Sequence, residues 1–379
     1  MEKSLRSGLR TWIEINTKAI THNYKVFRSL ISKRTKLCGV VKSNAYGHYL
    51  TEFAKRLEKL GIDYLAVDSV VEGLTLRREG IKIPILVLGY TLPEMLVPAS
   101  EAELEITISN FDYFNEIKKL KLKKPIRAHI KVDTGFHRHG FQIDDIKNIL
   151  VKIKEGKNIK VVGLYTHFAA ADNPAFPKET RDQIKILLDW KKAFSRAKIK
   201  VITHACATSG TILYPEAHFD FVRVGIGVYG LWPSAETKAF AEDKFILKPA
   251  LSWRTLIGEI KNVKKGERVG YDFTETLNRD TKIAVLPIGY WHVFPRALSS
   301  IGHVLVRGKK VKVIGRVCMD ITMIDVTDVA GVNVGDEVTI IGQDGKENIS
   351  SADIAKLVDG SSEYETVTRI NPLIKRIYI

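Results

Sequence analysis

The run Val40-Val41-Lys42-Ser43-Asn44-Ala45-Tyr46-Gly47-His48 sets a lysine directly after a short apolar segment. An ammonium at the end of a buried strand is costly unless it is paired, covalently bonded or functional. Desolvation would lower the pKa of Lys42 and suit it to form a Schiff base. The ordinary alternative is a lysine whose stem lies on the strand end while its head reaches water. A second run, Arg223-Val224-Gly225-Ile226-Gly227-Val228-Tyr229-Gly230, contains a formal GxGxxG. A dinucleotide fold needs a helix to start there, and Pro233 follows almost at once. The glycines better suit a phosphate loop of backbone N–H groups, with Ser209 in Ala207-Thr208-Ser209-Gly210 adding a hydroxyl. A Schiff-base lysine and a phosphate site on one face suggest pyridoxal 5'-phosphate. Between them, Arg127, His129, Lys131 and Asp133 alternate with Ile126, Ala128, Ile130 and Val132. Four polar side chains on one strand face demand charge compensation, for which a Lys131–Asp133 pair is the simplest source.

Those residues fall at the ends of a repeating unit. Short Val- and Ile-rich runs alternate with stretches of helical period, the pattern of βα units and a parallel sheet. Eight runs are expected near Leu37–Val41, Asp63–Val67, Ile85–Leu88, Glu105–Ser109, Ile126–Val132, Lys160–Tyr165, Lys200–His204 and Phe219–Val224. Between them, Ile20, Tyr24, Phe27 and Leu30 share one helical face, as do Ile184, Leu187 and Leu188. The count and size match an α/β fold of the (β/α)8 barrel type, with catalytic residues at the C-terminal strand ends. An open doubly wound sheet is the alternative. After about Phe245 the helical stretches nearly vanish. Strands are expected at Leu256–Ile260, Lys282–Leu286, Val304–Val306, Val311–Ile314, Thr322–Val326 and Val338–Ile341, with a hairpin turn at Arg307-Gly308-Lys309-Lys310. A short helix at Ser350–Leu357 opens on a capping box, Ser350 with Asp353. The expected division is a barrel over 1–245 and a mostly β C-terminal domain over 246–379, with the first residues free to join the second.

Composition bounds the partners. A chain of 379 residues with 45% hydrophobic and 27% charged residues is a globular, two-domain balance. Its 59 basic and 43 acidic residues leave +16, but the lysines are spread over helical solvent positions, as in Val151-Lys152-Ile153-Lys154. That argues for a solvated basic surface and against nucleic acid. No apolar leader precedes Trp12, and no apolar run approaches membrane length. Cys38, Cys206 and Cys318 form no CxxC, so a cytoplasmic setting without metal or disulfide chemistry is expected.

In these residues the chain resembles the alanine racemase family. The likeness runs from Arg10-Thr11-Trp12-Ile13-Glu14 through Val41–His48, Lys131-Val132-Asp133-Thr134-Gly135 and Thr166-His167-Phe168-Ala169. It continues in Arg223–Gly230, Leu247-Lys248-Pro249-Ala250, Val269-Gly270-Tyr271, Pro287-Ile288-Gly289-Tyr290 and Gly315-Arg316-Val317-Cys318-Met319-Asp320. The resemblance implies a pyridoxal-phosphate isomerase that interconverts L- and D-alanine, supplies D-alanine for peptidoglycan, and acts as a homodimer with shared active sites. Lys42 matches the cofactor-bearing base, and Tyr271 matches the second base on the opposite face of the α-carbon. His167 matches a histidine between that tyrosine and Arg223, and Arg223 matches the residue facing the pyridine nitrogen. Tyr46, Ser209, Gly225, Ile226 and Tyr364 match the phosphate contacts, and Arg138 and Met319 the substrate-carboxylate contacts. Tyr290 and Tyr364 match an inner gate that admits little more than a methyl group, and Lys131 matches a lysine carbamylated in many relatives. Three departures stand out: Phe136-His137 for the common Met-Gly, Trp291-His292-Val293 for Ala-Asp-Gly, and Thr208 for Asn. They leave open a racemase of serine or of broader range. A non-catalytic cofactor-carrying barrel is a further alternative, opposed by the second domain.

Overall fold

A computed structural model describes residues 6–379. The chain divides into two compact units, one of Ala19–Ala45 and Leu50–Lys248, the other of the described residues up to Lys18, Tyr46–Tyr49 and Pro249–Ile379.

In the first unit, eight parallel strands close into a barrel in chain order. They are β2 (Lys36–Val40), β3 (Tyr64–Val67), β4 (Ile85–Val87), β5 (Glu105–Ile108), β6 (Ile126–Lys131), β7 (Ile159–Tyr165), β8 (Ile202–His204) and β9 (Phe221–Val224), numbered after β1 (Thr11–Ile15) of the other unit. Closure is carried by β9 against β2, where Cys38 is level with Arg223. The barrel is therefore closed, and the open-sheet alternative is removed. Helices cover the outside through one apolar stripe each. The stripe of Thr17–Leu30 is rotated from the expected one: Ala19, Ile20, Asn23 and Phe27 are buried, whereas Tyr24 and Leu30 are half-buried. Asn23 draws the rotation, because its amide donates to Lys248 O at 2.8 Å and accepts from Lys248 N at 2.9 Å. A buried amide with both ends bonded is stable where an apolar residue would have been expected.

The second unit is built on one sheet in the order β11-β14-β17-β16-β15-β18-β10-β1-β20, with β19 on β18. These strands are β10 (Leu251–Leu256), β11 (Glu259–Val263), β14 (Thr281–Leu286), β15 (His303–Val306), β16 (Lys309–Ile314), β17 (Thr322–Asp325), β18 (Glu337–Asp344), β19 (Glu347–Ile349) and β20 (Arg376–Tyr378), and a small ribbon pairs β12 (Arg268–Val269) with β13 (Glu275–Thr276). The strand expected at Leu256–Ile260 is not one strand. The chain changes partner at Ile257-Gly258, leaving β1 and β18 for β14. The hairpin forms on Arg307 and Gly308, at φ 50° and 75°, the two left-handed residues of a type I′ turn. Ser350 caps Ser351–Leu357 and Asp353 returns the bond, as the spacing predicts. Among the described residues, no helix is long and apolar enough to cross a membrane.

Candidate active site

In the barrel unit, the chemistry-bearing residues stand at strand ends. Lys42 follows β2, and its ammonium lies 3.5 Å from Asp68 Oδ1 with the side chain 37% exposed. The expected deep desolvation of Lys42 is not what the structure shows; a carboxylate and solvent share the group. After Lys42 the backbone enters a left-handed turn. Ser43, Asn44, Ala45 and Tyr46 all have φ between 51° and 55°. Each non-glycine residue costs about 1–2 kcal/mol in that region, so the turn needs fixing. Glu72 supplies part of the fixing: its Oε1 accepts from Ser43 N at 2.7 Å and its Oε2 from Asp68 N at 2.8 Å. Asn44 Oδ1 accepts from Leu50 N at 2.9 Å. Glu72 thus holds both the lysine turn and the loop of its acidic partner.

Arg223, on β9, is 3% exposed. Its Nη2 donates to Thr166 O at 2.9 Å and Ala205 O at 2.7 Å, and its Nη1 lies 2.5 Å from His204 Nδ1. Nη2 also approaches His167 Nδ1 at 3.4 Å. Guanidinium offers no acceptor, so His167 Nδ1 carries the lone pair and its proton sits on Nε2. Burial, then Arg223, Arg138, Lys131 and Lys42, push the His167 pKa down to about 3. His167 is therefore a neutral N–H donor at physiological pH. Lys131, at the end of β6, is lowered to about 8 by burial, with Arg138 and Arg223 adding to it against Asp133. A Lys131–Asp133 ion pair is not formed. Asp133 Oδ1 instead accepts from the backbone N–H of Gly135, Phe136 and His137 at 2.9–3.1 Å, shaping the loop that carries Arg138.

The loop after β9 does not start the helix that a dinucleotide turn needs. Ile226–Tyr229 is a single 3-10 turn ended by Gly230 at φ 86°. Gly225 N and Gly227 N point at Thr208 Oγ1, at 3.2 and 3.4 Å, and Ser209 follows on the short helix Thr208–Leu213. A Cβ on Gly227 would stand 2.3 Å from Phe27 Cζ, so packing demands that glycine.

Phe136 gives its departure from the family pattern a use. The Arg138 guanidinium carbon lies 4.1 Å from the Phe136 ring centroid, and that ring is 5.7 Å from the His167 ring. Lys131, Phe136, Arg138, Thr166 and His167 line one narrow cleft. A cation on an aromatic face is worth about 0.5–2 kcal/mol. Phe136→Leu is therefore expected to raise the KM for a carboxylate substrate roughly fivefold with little change in kcat, and steady-state kinetics of the purified variant check it.

The β unit holds the remaining candidates. Tyr271 opens a 3-10 turn after Gly270 and is 69% exposed; its neighbour Asp272 pairs with Arg316. Tyr290 and Met319 are brought together by backbone bonds, Tyr290 N to Cys318 O at 3.0 Å and Trp291 N to Met319 O at 2.9 Å. Tyr46 and Tyr364 rings lie 6.1 Å apart. His292 turns inward and accepts from Gly289 N at 3.2 Å, while Val293 takes φ 69°. The structure thus gathers Lys42, Lys131, Arg138, His167, Ser209, Arg223, Gly225 and Ile226 in one unit and Tyr46, Tyr271, Tyr290, Met319 and Tyr364 in the other. Asp68 and His204 were missed, although each stands at a strand end where the barrel rule applies. Glu72 and Glu105 gave no signal.

Residues 15–233 match the family model for the alanine racemase N-terminal domain, and residues 250–378 that for the C-terminal domain. The chain belongs to the alanine racemase family, and with it to the isomerases. The chain is 39% identical to the alanine racemase of Methanococcus maripaludis over 97% of this chain and 98% of that one. To that of Leptospira interrogans it is 36% identical over 99% and 97%. Among solved structures, the alanine racemase of Bacillus anthracis with bound L-Ala-P superposes at a TM-score of 0.92, with 34% identity and coverage of 98% and 95%. That of Clostridium difficile gives 0.92, 32%, 98% and 96%.

Proposed function

We propose that the protein interconverts L- and D-alanine with pyridoxal 5'-phosphate, by two bases, and so supplies D-alanine for peptidoglycan. The observation that carries this reading is the charge of the barrel cleft. Lys42, Arg138 and Arg223 act on Lys131, and all four act on His167, while Asp133 is taken up by backbone amides. An excess of cations around a glycine-rich turn calls for anionic ligands, and a phosphate with an amino-acid carboxylate fits. Lys42 would hold the cofactor covalently, with Ser209, Gly225, Ile226, Tyr46 and Tyr364 at its phosphate. When bound, the cofactor supplies a carbonyl carbon for the substrate amine and an electron sink that makes the α-proton labile.

The chain's own groups do the rest. Arg223 presents only donors, so a ring nitrogen facing it stays unprotonated, which restrains transamination. Lys42 and Tyr271 take and give the α-proton from opposite faces, each acting as base in one direction and acid in the other. His167, neutral with its proton on Nε2, is suited to donate to the Tyr271 phenolate. Arg138, stacked on Phe136, and Met319 hold the carboxylate. Lys131, with its amine about half neutral near pH 8, is open to carbamylation, which would place an anion beside Arg138. Tyr290 and Tyr364 restrict the side chain. Tyr271 is largely exposed on its own unit, which favours a homodimer in which it completes the partner's site.

A coupled assay of the purified protein across all L-amino acids tests this reading. Alanine should give the largest kcat/KM and serine a smaller one. A larger value for lysine, arginine or glutamate would overturn the specificity, with the Trp291–Val293 loop as the first suspect.

A further inference from the structure

Inside the barrel, Glu105 on β5, His129 on β6, His204 on β8 and Arg223 on β9 form one continuous chain of hydrogen bonds. Glu105 Oε2 is 2.7 Å from His129 Nε2, His129 Nδ1 is 2.8 Å from His204 Nε2, and His204 Nδ1 is 2.5 Å from Arg223 Nη1. All four side chains are shielded from solvent; the most exposed, Arg223, reaches 3%.

The two ends dictate where the protons lie. Arg223 can only donate, so His204 Nδ1 must hold a lone pair. The proton of neutral His204 then sits on Nε2 and is donated to His129 Nδ1. That nitrogen accepts, so the proton of His129 sits on its own Nε2 and is donated to the Glu105 carboxylate. A charged His129 would aim Nδ1–H at His204 Nε2 and push the His204 proton to Nδ1, against an Arg223 N–H at 2.5 Å. One assignment satisfies every atom. Burial, with the Arg223 cation beside it, holds the His204 pKa well below the ordinary histidine value, in keeping with a neutral ring.

The barrel is built around this chain. A Cβ on Gly163 of β7 would stand 2.0 Å from His129 Nδ1, so the neighbouring strand omits a side chain where the ring lies. The other Glu105 oxygen accepts from Arg127 Nε at 2.9 Å and Nη2 at 2.5 Å, which holds the carboxylate in place. Tyr165 stacks on the His204 ring at 4.6 Å and 3°, fixing its plane.

We infer that Glu105 is a positioning residue for Arg223: it accepts the last proton of a one-way relay that the Arg223 donors impose on His204 and His129, and so holds both rings, and through them Arg223 Nη1, in place. The relay stands on the hydrogen bonds alone; only its bearing on the cofactor rests on the proposed function.

Ring-15N-labelled histidine in the protein without added cofactor reads the relay directly by NMR. His129 and His204 should both be neutral with the proton on Nε2. A charged ring, or a proton on Nδ1 of either, would overturn the relay whatever the enzyme racemises. Glu105→Gln keeps an acceptor and should keep both protons in place. Glu105→Met leaves the His129 Nε2–H without an acceptor and should weaken pyridoxal phosphate binding about tenfold, by absorbance titration, relative to Glu105→Gln. Equal affinities of the two variants would overturn the positioning role. Should Glu105→Met not fold, the wild-type and Glu105→Gln spectra decide alone, and a proton on Nδ1 in either overturns the proposal.

Discussion

Lys42→Ala is expected to lower alanine racemisation by about four orders of magnitude or more, from both L- and D-alanine. Two losses combine in this one residue. General acid–base work by a positioned side chain contributes roughly 10²- to 10⁴-fold, and loss of a covalent anchor removes the nucleophile as well. The strain of the turn beside it gives the prediction a structural control. Four consecutive left-handed residues, held by Glu72 and Asn44, follow Lys42 at the end of β2. Alanine leaves that backbone unchanged, so circular dichroism and the melting temperature should stay close to wild type while the rate collapses. Initial rates in both directions at saturating pyridoxal phosphate measure the effect. Retention of more than about a hundredth of the rate would exclude Lys42 as a base.

The second large effect is a recovery. Tyr271→Phe should be nearly as inactive as Lys42→Ala, since each removes one of two bases acting on opposite faces. If each active site of a two-fold dimer takes Lys42 from one chain and Tyr271 from the other, a mixed dimer has one site with both lesions and one with none. Equal mixing and random reassembly make about half of the dimers mixed, each with one intact site of two. Activity should return to roughly a quarter of wild type from two nearly dead parents. A mixture that stays as inactive as its parents after confirmed subunit exchange would place both residues in the same chain's site.

The alternation of apolar runs and helical stretches carried the barrel, because each βα unit repeats the same local signal and eight of them admit few architectures. Signals failed where burial was two-sided or the partner was distant. β1 is buried on both faces, so no alternation marks Trp12-Ile13-Glu14-Ile15, and β20 joins it from the far end of the chain. The break at Ile257-Gly258 exists only because two sheet neighbours compete for one stretch. In the candidate site, Lys42 and the glycines after β9 could be picked out because they stand at strand ends, whereas Arg223 and Arg138 came from the family resemblance. Their polar supports could not be picked out. Glu72 acts through the turn it bonds, Glu105 through two histidines, and Asp133 through backbone amides rather than through Lys131. Such roles depend on three-dimensional partners that spacing along the chain does not encode.

Two lysines compete for the central role, and they differ in environment. Lys131 is 8% exposed with a pKa lowered to about 8, which favours a nucleophilic amine. Lys42 stands 3.5 Å from Asp68 at the end of β2, followed by the left-handed turn. Borohydride reduction of the protein loaded with pyridoxal phosphate, followed by peptide mapping, separates them in one measurement. The label is expected on the peptide containing Lys42 and on no other. A label on Lys131 or on any other lysine would contradict the assignment of the active site.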